Sequence, residues 1–231
     1  MRYKNVIPAV FISRPNRFIA VVNVDGKDEI VHVKNTGRCK ELLVKGCKVW
    51  LAVSDNPARK TKYDLICSEK PRTERAPLLI NLDSQIPNDA AFEWLQKGEL
   101  FSKSAVIRRE YTFGNSRFDF YIEDGERKAF LEVKGVTLEN NGIASFPDAP
   151  TERGIKHLKE LIECVKKGFE SYVLFVIQMK EISAFTPNDE RHKEFGETLR
   201  LAQKSGVKIL AHDCNITPDS IVIDKAVPIV L

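Results

Sequence analysis

Charges are costly inside strands that must be buried, yet residues 116–135, SRFDFYIEDGERKAFLEVKG, place three of them among core-like neighbours. Phe118, Phe120 and Ile122 alternate with Asp119 and Tyr121, the period of a half-buried strand. Asp124-Gly125 is a strong hairpin signal. The return strand carries Phe130, Leu131 and Val133, with Glu132 and Lys134 interleaved. A two-residue Asp124-Gly125 loop sets Glu123 opposite Glu126 and Asp119 opposite Phe130. Side chains alternate with a period of two, so Asp119, Glu132 and Lys134 are expected to converge on one face. A loop one residue longer or shorter would send Asp119 to the other face.

The length of 231 residues is enough for one large domain or two modest ones. No apolar run approaches the length of a bilayer span; the strongest covers residues 172–177. Pro8 interrupts the apolar stretch after Arg2 and Lys4 and no small-residue cleavage site follows, which argues against a signal peptide. The five cysteines are odd in number and include no C-x-x-C pair, so neither a disulfide framework nor a structural zinc site is expected. A reducing, cytoplasmic setting fits that usage, with no membrane partner. Charge is uneven: residues 1–83 hold 16 Lys+Arg against 9 Asp+Glu, and residues 84–231 hold 20 against 23. The basic part suits phosphates and the acidic part suits a cation.

Taken in order, residues 6–11, 18–24, 30–33, 47–53, 63–67 and 78–81 read as short strands. Turns fall at Asp25-Gly26 and Asn35-Thr36-Gly37, and a short helix is expected over 40–44, ended by Gly46. Short strands, one short helix and a basic loop over 54–62 describe a small closed barrel. The OB-fold is such a barrel and binds single strands with basic grooves and stacking aromatics. Its candidate nucleic-acid contacts are Arg14, Arg17, Arg59, Lys60, Lys62 and Tyr63; the bland alternative is that Phe18 and Trp50 are barrel core and the cations merely solvate loops.

Residues 88–97 have helical character and link to a second domain. A strand over 105–113, bearing Glu110, precedes the Gly114-Asn115 turn and the hairpin, and residues 136–138 continue the hairpin's second strand. A helix starts near Thr151, with Ile155, Leu158, Leu161, Ile162 and Val165 on its apolar face and Gly168 past its end. Residues 172–178 form a buried strand without alternation, 189–204 a helix and 207–212 a further strand. That is a β-α-β unit with parallel strands. The boundary between the two domains is placed at 83/84, giving an α/β (α+β overall) protein.

An Asp on one strand and Glu-x-Lys on its neighbour make a divalent-cation site with a basic assistant. Mg²⁺ takes one or two carboxylates together with water and substrate phosphate. Asp119 and Glu132 supply the metal-binding carboxylates, Lys134 a charge for phosphate oxygens or a nucleophilic water, and Glu110 a further acid. On the following helix Arg153 and His157 lie at i and i+4, placed to reach a phosphate.

The segments EYTFGNSRFDFYI, FLEVKGVTL and FPDAPTERGIKHLKEL and the ending AVPIVL resemble the sugar fermentation stimulation protein A family, as do RFIAVV and HVKNTGRCKELL. The resemblance implies an OB-like N-terminal β-barrel and a C-terminal PD-(D/E)xK nuclease-like mixed sheet flanked by helices. It implies DNA binding without sequence preference and a regulatory role in sugar, especially maltose, metabolism; RNA is a further candidate partner. By motif the nuclease-type residues fall on Asp119, Glu132 and Lys134, with Glu110 the additional acid and Mg²⁺ or Mn²⁺ the cofactor. Asp148, Thr151, Arg153 and His157 belong to the family's second signature. Phe118 stands where the superfamily's name has proline, and LLINLDSQIPN lacks the more usual Asn-Thr pair. The alternative to a DNA-binding protein is an active metal-dependent nuclease cutting DNA or RNA.

Overall fold

The computed structural model describes every residue except 36, 74 and 115. Thr36 and Asn115, which belong to two of the expected turns, therefore lie outside the described residues. The chain forms two compact units. One holds Met1–Pro87 with the short segments Gln178–Lys180 and Cys214–Val222; the other holds Asn88–Ile177, Glu181–Asp213 and Ile223–Leu231.

In the first unit β1 (Val6–Ser13), β2 (Ile19–Val24), β3 (Lys27–Val33), β4 (Lys48–Val53), β5 (Tyr63–Lys70) and β6 (Leu78–Asn81) form one sheet in the order β3-β2-β1-β4-β5-β6. A parallel pairing of β3 with β5, His32↔Asp64 and Val33↔Leu65, closes it into a barrel. Alternation fills the interior: Ala20 and Val22, Val31 and Val33, Val49 and Leu51 are all buried. At the seam His32 Nδ1 lies 2.9 Å from Asp64, and the Arg59 guanidinium grips the same carboxylate at 2.6 and 2.9 Å.

Two local expectations are corrected. Residues 40–44 are turns rather than a helix: the N–H groups of Leu42 and Leu43 both reach the Cys39 carbonyl, and Cys39 and Gly46 have left-handed backbones. So few residues between two such positions cannot nucleate a helix. Phe18 is 56% exposed rather than core. Asn16 Oδ1 accepts the N–H groups of Phe18 and Ile19, so β2 starts after Phe18 and the ring stays outside the alternation. The fully buried Asp83 is held by Lys34 Nζ at 3.0 Å. Gln178 Nε2 donates to the Asn81 carbonyl, Asn81 Oδ1 and the Asp83 carbonyl, which ties the short segment into this unit.

The second unit starts within α1 (Ile86–Gln96), whose early Pro87 occupies a first-turn position that needs no donor. Then come β7 (Val106–Phe113), β8 (Ser116–Asp124), β9 (Arg127–Val136), β10 (Leu138–Asn140), β11 (Ile143–Phe146), α2 (Glu152–Lys166), β12 (Glu170–Ile177), β13 (Ala184–Pro187), α3 (Asp189–Lys204), β14 (Lys208–Thr217) and β15 (Ser220–Ala226). The main sheet runs β15-β14-β12-β9-β8-β7. β12 is parallel to both β9 and β14 and is buried at all but its first residue, as the middle of a covered parallel sheet requires. The β9 strand stops at Val136 instead of running on, and β10, β11 and β13 form a separate three-stranded sheet.

Helix α2 packs its Ile155, Leu158, Leu161 and Ile162 stripe inward. Thr151 caps it by accepting the Gly154 N–H at 3.0 Å. A Cβ on Gly154 would come within 2.9 Å of the Thr151 side chain and 3.1 Å of Phe195, so the close approach of α2 to α3 needs glycine there. No helix among the described residues is long and apolar enough to cross a membrane.

Candidate functional site

The β8–β9 hairpin turns one residue later than the sequence signal suggests. Asp124 pairs with Arg127, leaving Gly125 and Glu126 as the loop, with Gly125 at φ +61°. Asp124 is held in the strand because its carboxylate accepts both the N–H and the hydroxyl of Ser102. The pairing therefore moves by two residues, to Tyr121↔Phe130 and Phe120↔Leu131. A shift of two keeps every side chain on its face. Asp119 thus comes up beside Glu132 rather than Phe130, and the intended convergence survives.

Each acid is fixed by the protein. Asp119 Oδ2 accepts the Val133 N–H at 2.8 Å and Oδ1 accepts the Asn88 amide, from the first turns of α1, at 2.7 Å. Glu132 is 3% exposed. Its Oε1 accepts Lys134 Nζ at 2.6 Å and a short hydrogen bond from His157 Nδ1. Arg153 Nε donates to His157 Nε2 at 3.3 Å. A guanidinium can only donate, so Nε2 is the acceptor and Nδ1 carries the proton toward Glu132. His157 and Lys134 are then two donors on one carboxylate oxygen. The second oxygen, Glu132 Oε2, is buried without a hydrogen-bond partner.

The electrostatics differ between the acids. Burial, and then the charge of Glu132, raise the pKa of Asp119 above the usual carboxylate value. Burial alone would raise Glu132 too, but the His157 hydrogen bond and the Lys134 charge outweigh it and hold Glu132 below its usual value. Glu132 is the carboxylate that stays ionised, and Asp119 is the one that retains a proton to higher pH.

The chemistry of this donor set fits a hard cation. Two carboxylates stand together with one buried oxygen lacking any partner. Among the described residues no group of three or more His, Cys, Asp or Glu side chains could hold a metal ion. A cation here would take its remaining ligands from backbone, water or a phosphate, the habit of Mg²⁺.

The other expected residues are placed as follows. Glu110 sits between the pairs Arg109↔Phe120 and Tyr111↔Phe118 with φ +53°, and its exposed carboxylate ion-pairs with Arg117 at 2.9 Å. Arg153 and His157 join the acids through the chain of contacts above, which makes His157 a support for Glu132. In the first unit Lys60, Lys62 and Arg17 are exposed, whereas Arg59 is engaged by Asp64. Tyr63 is 6% exposed, with Lys62 over its ring, so its ring belongs to the barrel wall instead of offering an open stacking face. Arg14 donates to four backbone carbonyls, those of Arg17, Asn35, Gly37 and Arg38. Asn88 escaped the sequence reading because nothing in a helical segment marks one amide as aimed at a strand 31 residues away. His192 breaks the first turn of α3 and accepts the Thr151 N–H.

Comparison with known proteins meets this picture at both units. A family model described as "Sugar fermentation stimulation protein RE domain" matches residues 85–220, and one described as "SfsA N-terminal OB domain" matches residues 12–75. The sugar fermentation stimulation protein homolog of Clostridium beijerinckii is 54% identical over 231 residues, covering 100% of each chain. That of Desulfitobacterium hafniense is 58% identical over 221 residues, 96% of this chain and 94% of the relative. The solved structure of Pyrococcus furiosus SfsA in complex with Ca²⁺ superposes with a TM-score of 0.85 at 27% identity, covering 100% of this chain and 98% of the other.

Proposed function

The chain belongs to the sugar fermentation stimulation protein family, and on that premise we propose that it is a cytoplasmic DNA-binding protein without sequence preference whose Asp119–Glu132 pair holds a divalent cation. Control of sugar metabolism, maltose included, is the output that DNA binding would serve. The observation that carries the metal site is Glu132 Oε2: a buried, ionised oxygen with no partner, beside a second buried acid. The charge of Glu132 is paired through Oε1 with Lys134 and His157, but a buried oxygen left without a partner is unfavourable, and a cation at Oε2 would relieve it. The Ca²⁺ complex of the Pyrococcus furiosus relative supports the same class of oxygen-seeking ion. Mg²⁺ or Mn²⁺ is the ion proposed here.

The second reading is a nuclease cutting DNA or RNA, and Lys134 favours it. Its ammonium is held 2.6 Å from Glu132 on the face that carries Asp119. When bound, the cation would supply neutralisation of a phosphate and activation of water. Asp119, once deprotonated, would share with Glu132 in holding the ion. Lys134 adds a fixed positive charge where a phosphate oxygen becomes more negative, a preorganised form of electrostatic stabilisation. His157, set by Arg153, keeps Glu132 and Lys134 in place.

The test incubates the purified chain with single- and double-stranded DNA and RNA, with Mg²⁺, Mn²⁺ or chelator, beside Asp119→Asn and Lys134→Ala proteins. Cation binding by calorimetry is expected for the wild type and is expected to be lost in Asp119→Asn. Any cleavage should vanish in chelator and in both variants. Cation binding unchanged in Asp119→Asn would sink the metal site, and cleavage that survives both changes would sink the nuclease reading.

A further inference from the structure

We propose that the first unit takes one unstacked base of a single strand in the cavity beside Arg14, so that the protein prefers single-stranded to duplex nucleic acid. The inference rests on nucleic acid being the ligand and adds which form of it and where. The cavity, about 280 Å³, is lined by Arg14, Asn16, Arg17 and, across the β3–β4 connection, by Arg38, Cys39, Lys40 and Leu43. That is near the lower end of the roughly 300–1,000 Å³ of small-ligand pockets, a size for one base rather than a stretch of strand. Four of the lining side chains are cationic and none is acidic.

Arg14 determines what kind of ligand fits. A phosphate is best bound by the in-plane fork of a guanidinium. All four terminal N–H groups of Arg14 are already engaged, with the carbonyls of Gly37 and Arg38 at 2.8 Å, Arg17 at 2.7 Å and Asn35 at 2.6 Å. Its Nε is buried without a partner. Arg14 therefore has no accessible fork for a phosphate. What such a clamped arginine can still present is its flat, charged surface, on which nucleobases stack. Buried Cys39 and Leu43 give the same cavity apolar walls. Exposed Arg17, Arg38 and Lys40 remain for the flanking phosphates.

Phe18 adds a second surface. It follows Arg17 directly, precedes β2 and is 56% exposed, so its ring is open to solvent. An exposed ring that follows the cavity-lining Arg17 in the chain is available to stack a neighbouring base of the same strand. A duplex keeps its base faces stacked inside and would offer the cavity no face to stack on, only backbone and base edges.

The experiment uses the full-length Asp119→Asn chain, so that the strand is not cut. Fluorescence anisotropy at fixed salt compares an oligothymidine, the same strand with abasic sites, and a duplex of equal length. The expected result is single-strand binding about tenfold tighter than duplex binding, with a similar loss for the abasic strand. Phe18→Ala, whose side chain supports no core, should weaken single-strand binding alone, and Arg38→Glu should weaken both forms. Equal affinity for all three ligands, or a silent Phe18→Ala, overturns the base pocket while leaving the nucleic-acid reading intact. Absence of binding to any of the three overturns both.

Discussion

Asp119 and Glu132 are neighbouring buried acids with opposite tendencies, and the sign of each effect can be worked out. The folded chain holds a proton on Asp119 more tightly than the unfolded chain does. Stability from that proton is fully present below the ordinary carboxylate range near about 4 and is lost as pH rises through the raised value. At neutral pH in chelator, Asp119→Asn should therefore be more stable than wild type, by about 1 kcal/mol, seen as a higher midpoint in thermal unfolding. Mg²⁺ should narrow or reverse the difference, and its affinity for the wild type should fall as pH is lowered, because proton and cation compete for the same carboxylate. His157 offers a second test. His157→Ala removes one of two donors on Glu132 Oε1 and should lower cation affinity by about tenfold or more in calorimetry. His157→Asn, whose amide N–H can stand where Nδ1–H does, should recover much of the loss. The acids and Lys134 were legible because charge inside an apolar alternation is conspicuous. Asn88 and the role of His157 were not, since each acts across space on a side chain far away in sequence.

At the scale of elements, parity was legible and position was not. The alternation of Phe118, Phe120 and Ile122 fixes which residues share a face, and that held when the loop moved from Asp124-Gly125 to Gly125-Glu126. The move itself came from Ser102, whose two bonds to Asp124 no hairpin rule contains. The same distinction explains Phe18, which has the parity of Ala20 and Val22 but falls outside the strand. Strand β13 was missed because a four-residue element paired in parallel with β11 has little pattern of its own. Helix α2 was legible from its apolar stripe, yet its fit against α3 turns on Gly154. Gly154→Ala should destabilise the chain by about 1–3 kcal/mol by crowding Thr151 and Phe195. Because α2 carries Arg153 and His157, cation affinity should drop in the same variant; denaturant unfolding and calorimetry on one preparation would show whether the two losses travel together.

For the whole molecule, the excess of Lys and Arg over residues 1–83 motivates the proposed phosphate-binding surface but does not say which cations are available. Arg14 is tied up by backbone and Arg59 by Asp64, while Arg17, Lys60 and Lys62 remain exposed. DNA affinity should fall steeply with salt. Lys60→Glu with Lys62→Glu should weaken binding to all sequences alike and reduce the slope of log affinity against log salt by about 2. Arg59→Ala should instead lower the unfolding temperature by leaving Asp64 without its bidentate partner. A measured slope that the double lysine variant leaves unchanged would remove that loop from the binding surface.

The barrel unit also has a history in time. It is made mostly of residues synthesised before the second unit, yet it includes Gln178–Lys180 and Cys214–Val222. Gln178 alone supplies three hydrogen bonds to Asn81 and Asp83. On the ribosome this unit waits for residues 178–222 to emerge before its last polar groups are satisfied, and contacts so distant in sequence close slowly. A fragment cut after Pro87 would carry all six strands of the barrel and still be incomplete, with the Asn81 and Asp83 acceptors left for water.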